Sequence, residues 1–296
     1  MSEDQAILTG AAGDRSSPLR VGGIDYLNAQ PLLYELGDGD PPFAVTNHHP
    51  SKLASMLRDG ELDVALVPVV AYWERPDYMV VPGIGISSYG PVRSIRLYYR
   101  RALSDAQLVA LDSSSRTSTL LTQLLFREVW GGSPEFTTVD PREARRQLAK
   151  SAGAEFDAAL LIGDEALSCR AFPDWESVDL GTEWTRWTGL PFVYAFWVCR
   201  VPAGPESLPP GLVERFLHAR DVGIARIDDI VRSTARPDGM GESDCRNYLA
   251  HVILYDLRAD MLAGLELFFR KLRETGLAEV GGPLRFLTEC VTAAAK

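Results

Sequence analysis

Arg20-Val21-Gly22-Gly23-Ile24-Asp25-Tyr26-Leu27-Asn28-Ala29-Gln30-Pro31-Leu32 reads as a short buried strand, Leu19 to Ile24, that hands the chain to a helix over Ala29 to Leu36. A polar Asn28 then stands at the carboxyl end of a strand, where α/β folds keep their ligand sites. A carboxamide does not titrate near pH 7, but it offers two donors and an acceptor at once, which suits orienting a hydroxylated, carboxylated small molecule. The residues leave a second reading open, an Asx turn or a helix cap.

Outward from this segment, strand and helix patterns alternate. Phe43 to Thr46 reads as a strand, Ser51 to Arg58 as a helix capped by Ser51, and Asp63 to Val67 as a strand ending at Pro68. Such alternation implies a parallel sheet with ligand chemistry at the strand ends. The rhythm breaks at Tyr78 to Ile86 and Ser94 to Tyr99, two strands in succession joined by Ser87-Ser88-Tyr89-Gly90-Pro91. A crossover between two domains produces this pattern, and so does an antiparallel edge hairpin.

A second alternating block runs from Leu108 to Cys199. It holds strands at Leu108 to Leu111, Phe136 to Val139 and Asp157 to Ile162, and helices at Thr117 to Trp130 and Arg142 to Lys150. From Pro209 onward apolar residues recur at helical spacing, among them Val213, Phe216, Leu217, Ile224, Leu249, Ile253, Leu262, Leu265, Phe268 and Phe269, a core-packing pattern. The expected organisation is a disordered lead over 1–17, a discontinuous first domain over 18–102 and 200–296, and a second domain over 103–199.

Composition excludes several classes. Of 296 residues 46% are hydrophobic, enough for a large core, and 30 Lys plus Arg against 40 Asp plus Glu give a net charge of −10. That sign is wrong for a nucleic-acid or anionic-membrane binder, so an anionic ligand has to be held by local groups. Cys169, Cys199, Cys245 and Cys290 stand far apart, and His48, His49, His218 and His251 lack metal-ligand spacing. The reading is reduced thiols, no metal, and a solvated turn at His48-His49. No basic stretch leads into an apolar one near the start, and no run of about 18 apolar residues occurs, so the expectation is a cytoplasmic protein.

Three further segments carry chemistry. Ser113-Ser114-Ser115-Arg116-Thr117-Ser118 lies between a strand and a helix, so its hydroxyls and free N–H groups converge at a helix N-terminus suited to a carboxylate or phosphate. A cap needs one hydroxyl and this loop supplies five plus an arginine; no Walker lysine or Gly-x-Gly-x-x-Gly accompanies it, which argues against nucleotides. Ser94 has no nucleophile elbow or histidine partner and reads as a hydrogen-bonding group. In Leu161-Ile162-Gly163-Asp164-Glu165, Gly163 admits a ligand to the backbone and Asp164 reads first as a helix cap. Trp184 and Trp187 with Arg186 suit either a pocket wall or packing under a hinge.

Tyr26-Leu27-Asn28 with Pro31-Leu32, Gly90-Pro91 with Ser94, Ser115-Arg116-Thr117-Ser118, Leu161-Ile162-Gly163-Asp164 and Trp187-Thr188-Gly189-Leu190-Pro191-Phe192-Val193, in this order, resemble the chorismate dehydratases of the futalosine route to menaquinone. The resemblance covers roughly residues 19 to 275. It implies an α/β, two-domain fold of the type II periplasmic-binding-protein kind with a ligand cleft between the domains. It also implies dehydration of chorismate to 3-[(1-carboxyvinyl)oxy]benzoate without a cofactor or an obligate protein partner. Carried over, Asn28 and Ser94 serve the reacting ring and its leaving hydroxyl. Ser114, Ser115, Arg116, Thr117 and Ser118 hold a carboxylate, with Gly163 beside the substrate. Two alternatives share the fold: a solute-binding protein, against which the missing export signal argues, and the sister dihydroxynaphthoate synthase, against which Tyr26-Leu27-Asn28 argues.

Overall fold

A computed structural model of the chain describes residues 18–39, 41–150, 153–168 and 171–288. The expected disordered lead over 1–17, Cys169 and Cys290 lie outside them. Strand β1 (Arg20–Ile24) leads into a 3-10 turn (Leu27–Ala29) that carries Asn28, then into the single helical turn α1 (Gln30–Leu33). The helix stops short of Leu36 because Tyr34 is extended and Glu35 takes a left-handed φ of 55°.

Strand β2 (Ala44–His48), helix α2 (Pro50–Asp59) and strand β3 (Val64–Pro68) follow. Ser51 does not cap α2. His49 holds that position without a side-chain cap, and Pro50 in the first turn lacks one of the N–H groups a cap would serve. Gly60 ends the helix at φ 79°, returning its N–H to Leu57.

Next come β4 (Tyr78–Ser88), β5 (Ile95–Tyr99), β6 (Leu108–Asp112), α3 (Thr117–Leu125), β7 (Glu135–Val139), α4 (Pro141–Leu148), β8 (Ala158–Ile162) and α5 (Gly163–Ser168). Helix α3 gives way at Phe126–Trp130 to a π-helical turn where a continuous helix is expected. Strand β9 (Glu176–Asp179) and helix α6 (Leu180–Thr188) precede the long β10 (Phe192–Arg200). The chain closes with α7 (Leu212–Ala225), α8 (Ile227–Ser233), α9 (Glu242–Asn247), β11 (Leu254–Asp256) and α10 (Ala259–Glu274). Most of the apolar stripe in these last helices is buried as expected; Ile224 is the exception, 40% exposed.

The strands form two sheets, six-stranded in the order β11-β4-β10-β3-β1-β2 and five-stranded in the order β7-β6-β8-β5-β9. Within each alternating block the pairing is parallel: β1 with β2 and β3, β6 with β7 and β8. The exchanged strands are antiparallel, β10 against β3 and β4, and β5 against β8 and β9. Strands β4 and β5 are successive in sequence yet lie in different sheets, so the break in rhythm is a crossover and not a hairpin. Drawn by sheet membership, the chain leaves the first lobe between Ser88 and Ile95 and returns between Asp179 and Phe192. The limits 102 and 199 therefore fall one strand late at each crossing.

Strand β3 is buried at every residue, as suits a strand covered on both faces. The second sheet sorts its side chains by alternation. Leu97, Val109, Leu111, Leu160 and Ile162 join a core continuous with the first sheet, whereas Tyr98, Ala110, Ala159 and Leu161 face a smaller cluster with Leu148, Phe156 and Trp175. Burial of one such Val, Leu or Ile contributes about 1.5–3 kcal/mol, so the face shared by the two sheets is a large part of what holds them together.

Candidate functional site

The carboxyl ends of β1, β3, β6 and β8 meet at a narrow cavity of about 50 Å³. Its walls are mainly apolar, from Ile24, Pro50, Pro68, Ile86, Ile95 and Ile162, and its polar atoms come from Tyr26, Asn28, Ser94, Ser115, Thr117, Ser118 and Tyr194. No carboxylate, lysine, arginine or histidine is among these lining residues. The means of holding an anion here are hydroxyls, a carboxamide and the N-terminus of α3.

Five of the sequence-derived residues touch the cavity with a polar side chain: Asn28, Ser94, Ser115, Thr117 and Ser118. Two of these carry a buried oxygen with no hydrogen-bond partner, Asn28 Oδ1 and Thr117 Oγ1. Ser94 is 1% exposed and its hydroxyl donates a long hydrogen bond, 3.5 Å, to Val92 O. Buried polar groups are nearly always paired, so three weakly engaged ones lining a single cavity make it the candidate ligand site. Ser115 is used locally, accepting from the Ser118 N–H at 3.2 Å, which is the capping half of the two readings of this loop.

Arg116, Ser114 and Gly163 depart from their expected roles. Arg116 does not line the cavity; its guanidinium is ion-paired with Glu74, in the 3-10 turn after β3, and an acid of the other lobe takes the charge intended for a ligand. Ser114 lies behind the cavity wall. Its N–H and Oγ donate to Asp112 Oδ1 at 2.9 and 2.5 Å, and its Oγ accepts from Tyr26 at 3.0 Å. Gly163 lines the cavity, but the atoms nearest to where its Cβ would stand, at 2.9 Å, belong to the Tyr26 ring. The missing side chain makes room for that tyrosine. The Gly163 N–H donates to Ser94 O at 2.8 Å.

Asp164 does not cap its own helix. Its carboxylate reaches the first lobe and accepts the Leu27 N–H at 3.0 Å, next to Asn28. Burial is the main cause that pushes its pKa up to about 6; the Leu27 N–H works against the rise, and Asp25 and Glu165 add to it. Asp112 is likewise raised by burial, opposed by hydrogen bonds from Ser114 and the Ile162 N–H. Tyr26 to Ser114, Leu27 to Asp164 and Arg116 to Glu74 all join one lobe to the other around the cavity. A space of this size has room for only a few waters.

One residue outside every motif holds the crossing together. The Asp179 carboxylate accepts the N–H groups of Val92 at 3.0 Å, Arg93 at 2.7 Å and Thr182 at 3.0 Å. The first two fix the loop that presents Ser94, where Arg93 adopts a left-handed φ of 64°; the third caps α6. The aromatic segment after it builds packing and not a cavity wall. Trp184 is fully buried, donates from Nε1 to Pro191 O at 3.1 Å and stacks edge-on against Trp187, Phe192 and Phe268. Among the described residues no helix is long and apolar enough to cross a membrane.

Two mixed sheets, exchanged by antiparallel crossing strands and meeting at a cleft at their strand ends, define the periplasmic-binding-protein fold. The solved structures agree. A protein of Archaeoglobus fulgidus superposes with a TM-score of 0.70 at 17% identity, covering 90% of this chain and 100% of that one. The periplasmic aliphatic sulphonate binding protein of Escherichia coli gives 0.61 at 14% identity over 95% and 97%.

Sequence narrows the class further. Residues 19–274 match the family model described as menaquinone biosynthesis, and the chain belongs to that family. A chorismate dehydratase of Thermus thermophilus is 30% identical over 269 residues, 85% of this chain and 94% of that protein.

Proposed function

We propose that this protein dehydrates chorismate to 3-[(1-carboxyvinyl)oxy]benzoate. The observation that carries the reading is the pairing of the under-satisfied Asn28 and Ser94 in an apolar cleft, in a chain 30% identical to a chorismate dehydratase. The proton at ring C3 is vinylogous to the ring carboxylate, so its removal leaves a carbanion delocalised as an enediolate. The electron pair then returns to form the C3–C4 double bond as the C4 hydroxyl leaves, which makes the ring aromatic and releases one water. The protein's tasks are orientation and stabilisation of charge on the carboxylate and on the departing oxygen.

In this reading Asn28 and Ser94 donate to the leaving hydroxyl and the reacting ring. Ser115, Thr117 and Ser118, at the start of α3, receive a carboxylate. No side chain lining the cavity has the basicity of a carboxylate or an imidazole, which favours the substrate's own enolpyruvyl carboxylate as the base. A cytoplasmic location belongs to the same proposal.

The test is incubation of the purified chain with chorismate while the loss of one water is followed by mass spectrometry. Accumulation of the aromatic product supports the proposal. Binding without turnover would instead make this a solute-binding protein on the same fold.

A further inference from the structure

The two residues that open α5 hold both members of the Asn28–Ser94 pair. The Gly163 N–H donates to Ser94 O at 2.8 Å, one step beyond the antiparallel register in which Ile95 faces Ile162, so Ser94 is tied by its backbone to the second sheet. The Asp164 carboxylate accepts the Leu27 N–H at 3.0 Å, and Leu27 is the residue before Asn28. Helix α5 packs on the 3-10 turn Leu27–Ala29 at this contact. Adjacent residues of one helix therefore grip Ser94 on one side of the cavity and the turn that bears Asn28 on the other.

A helical turn leaves its first N–H groups without partners of its own. Tyr26, in the capping position, supplies no side-chain acceptor, and the Asp25 carboxylate is paired with His49 Nδ1 at 3.4 Å. The acceptor comes instead from a residue 137 positions away. An acidic residue in the first turn of a helix ordinarily serves that helix's own N–H groups. Asp164 gives its oxygen to the other lobe. The Ala29 N–H donates to Tyr26 O at 3.0 Å and closes the turn, so fixing Leu27 fixes Asn28 with it.

We propose that Asp164 is a positioning residue of this site: by capping the Leu27–Ala29 turn from the opposite lobe it sets Asn28 in register with Ser94, which its neighbour Gly163 holds. The inference rests on the dehydration reading. Asp164 does not line the cavity, so it acts through the turn and not on the substrate. Ser94 keeps its backbone partner with or without the carboxylate; what Asp164 controls is the place of Asn28.

The test is Asp164→Ala and Asp164→Asn in the full chain, and Asp164→Ala combined with Asn28→Ala, each assayed with chorismate at pH 8 and melted thermally. For Asp164→Ala, KM should stay within about threefold of the wild type while kcat falls roughly ten- to a hundredfold, the cost of a misplaced catalytic contact. Asp164→Asn keeps an oxygen for the Leu27 N–H and should recover most of that loss. In the Asn28→Ala background, followed with excess enzyme, Asp164→Ala should change kcat less than about twofold, since no amide is left to place. A wild-type kcat for Asp164→Ala, Asp164→Asn as slow as Asp164→Ala, or an equal loss in both backgrounds would each overturn the inference while leaving dehydration standing. So would a fall in melting temperature that accounts for the lost activity, which would make Asp164 a brace of the fold. Absence of turnover in the wild type would remove the dehydration reading and this inference with it.

Discussion

The contacts that join the two lobes around the cavity, its mouth, and the unpaired side chains that line it, its floor, treat their polar atoms in opposite ways. At the mouth Tyr26, Ser114 and Asp112 form a chain of hydrogen bonds, and Asp164 meets the Leu27 N–H, so donors and acceptors find one another across the two lobes. At the floor Asn28 Oδ1 and Thr117 Oγ1, both on side chains that line the cavity, are buried without partners. A satisfied network stabilises one arrangement of the lobes. An unsatisfied one costs stability until a ligand supplies the missing half. The contrast separates groups that join the lobes from groups that the proposed dehydration would engage.

The largest effect is expected at the floor. Asn28→Leu should lower turnover of chorismate by about a thousandfold, the upper range for one oriented donor, while the melting temperature moves by only a few degrees because an unpaired carbonyl is removed. Parallel activity and melting measurements check this; a collapse in stability would move Asn28 from the floor's class into the mouth's. Next comes Asp179→Ala, which frees three backbone N–H groups at the crossing. Urea unfolding should register a loss of about 3 kcal/mol, and kcat should fall with it because the Ser94 loop loosens.

The mouth makes a prediction about pH. Folded, Asp164 keeps its proton up to about pH 6 against an ordinary 3.8, so ionisation works against the fold. Its contribution is intact below pH 3.8 and is lost as pH rises through 6. Asp164→Asn keeps an oxygen for the Leu27 N–H and cannot ionise. It should therefore stabilise the protein by about 3 kcal/mol at pH 8 and leave it nearly unchanged at pH 3.5, as read from melting curves across that range.

The smallest effect is expected at Arg116→Gln. A half-exposed pair with Glu74 is worth at most about 1 kcal/mol, and KM for chorismate should change less than about threefold. A hundredfold rise in KM would show that Arg116 leaves Glu74 to hold a carboxylate and would blur the line between mouth and floor.

What the sequence determined by itself is what short-range patterns encode. Alternating strands and helices, the break at Ser87–Pro91 and the hydroxyl-rich loop after β6 are all local, and they brought Asn28, Ser94, Ser115, Thr117 and Ser118 to one cavity. Tertiary structure alone decided which partner each polar group meets. Arg116 faces Glu74, 42 positions away, Asp164 faces Leu27, and Gly163 makes room for Tyr26. Asp179 accepts from Val92 and Arg93, and nothing within a few residues of it points to them. The physical reason is range. Periodicity and capping depend on neighbours three or four positions off, whereas desolvation and hydrogen-bond pairing depend on whichever distant strand the fold brings near.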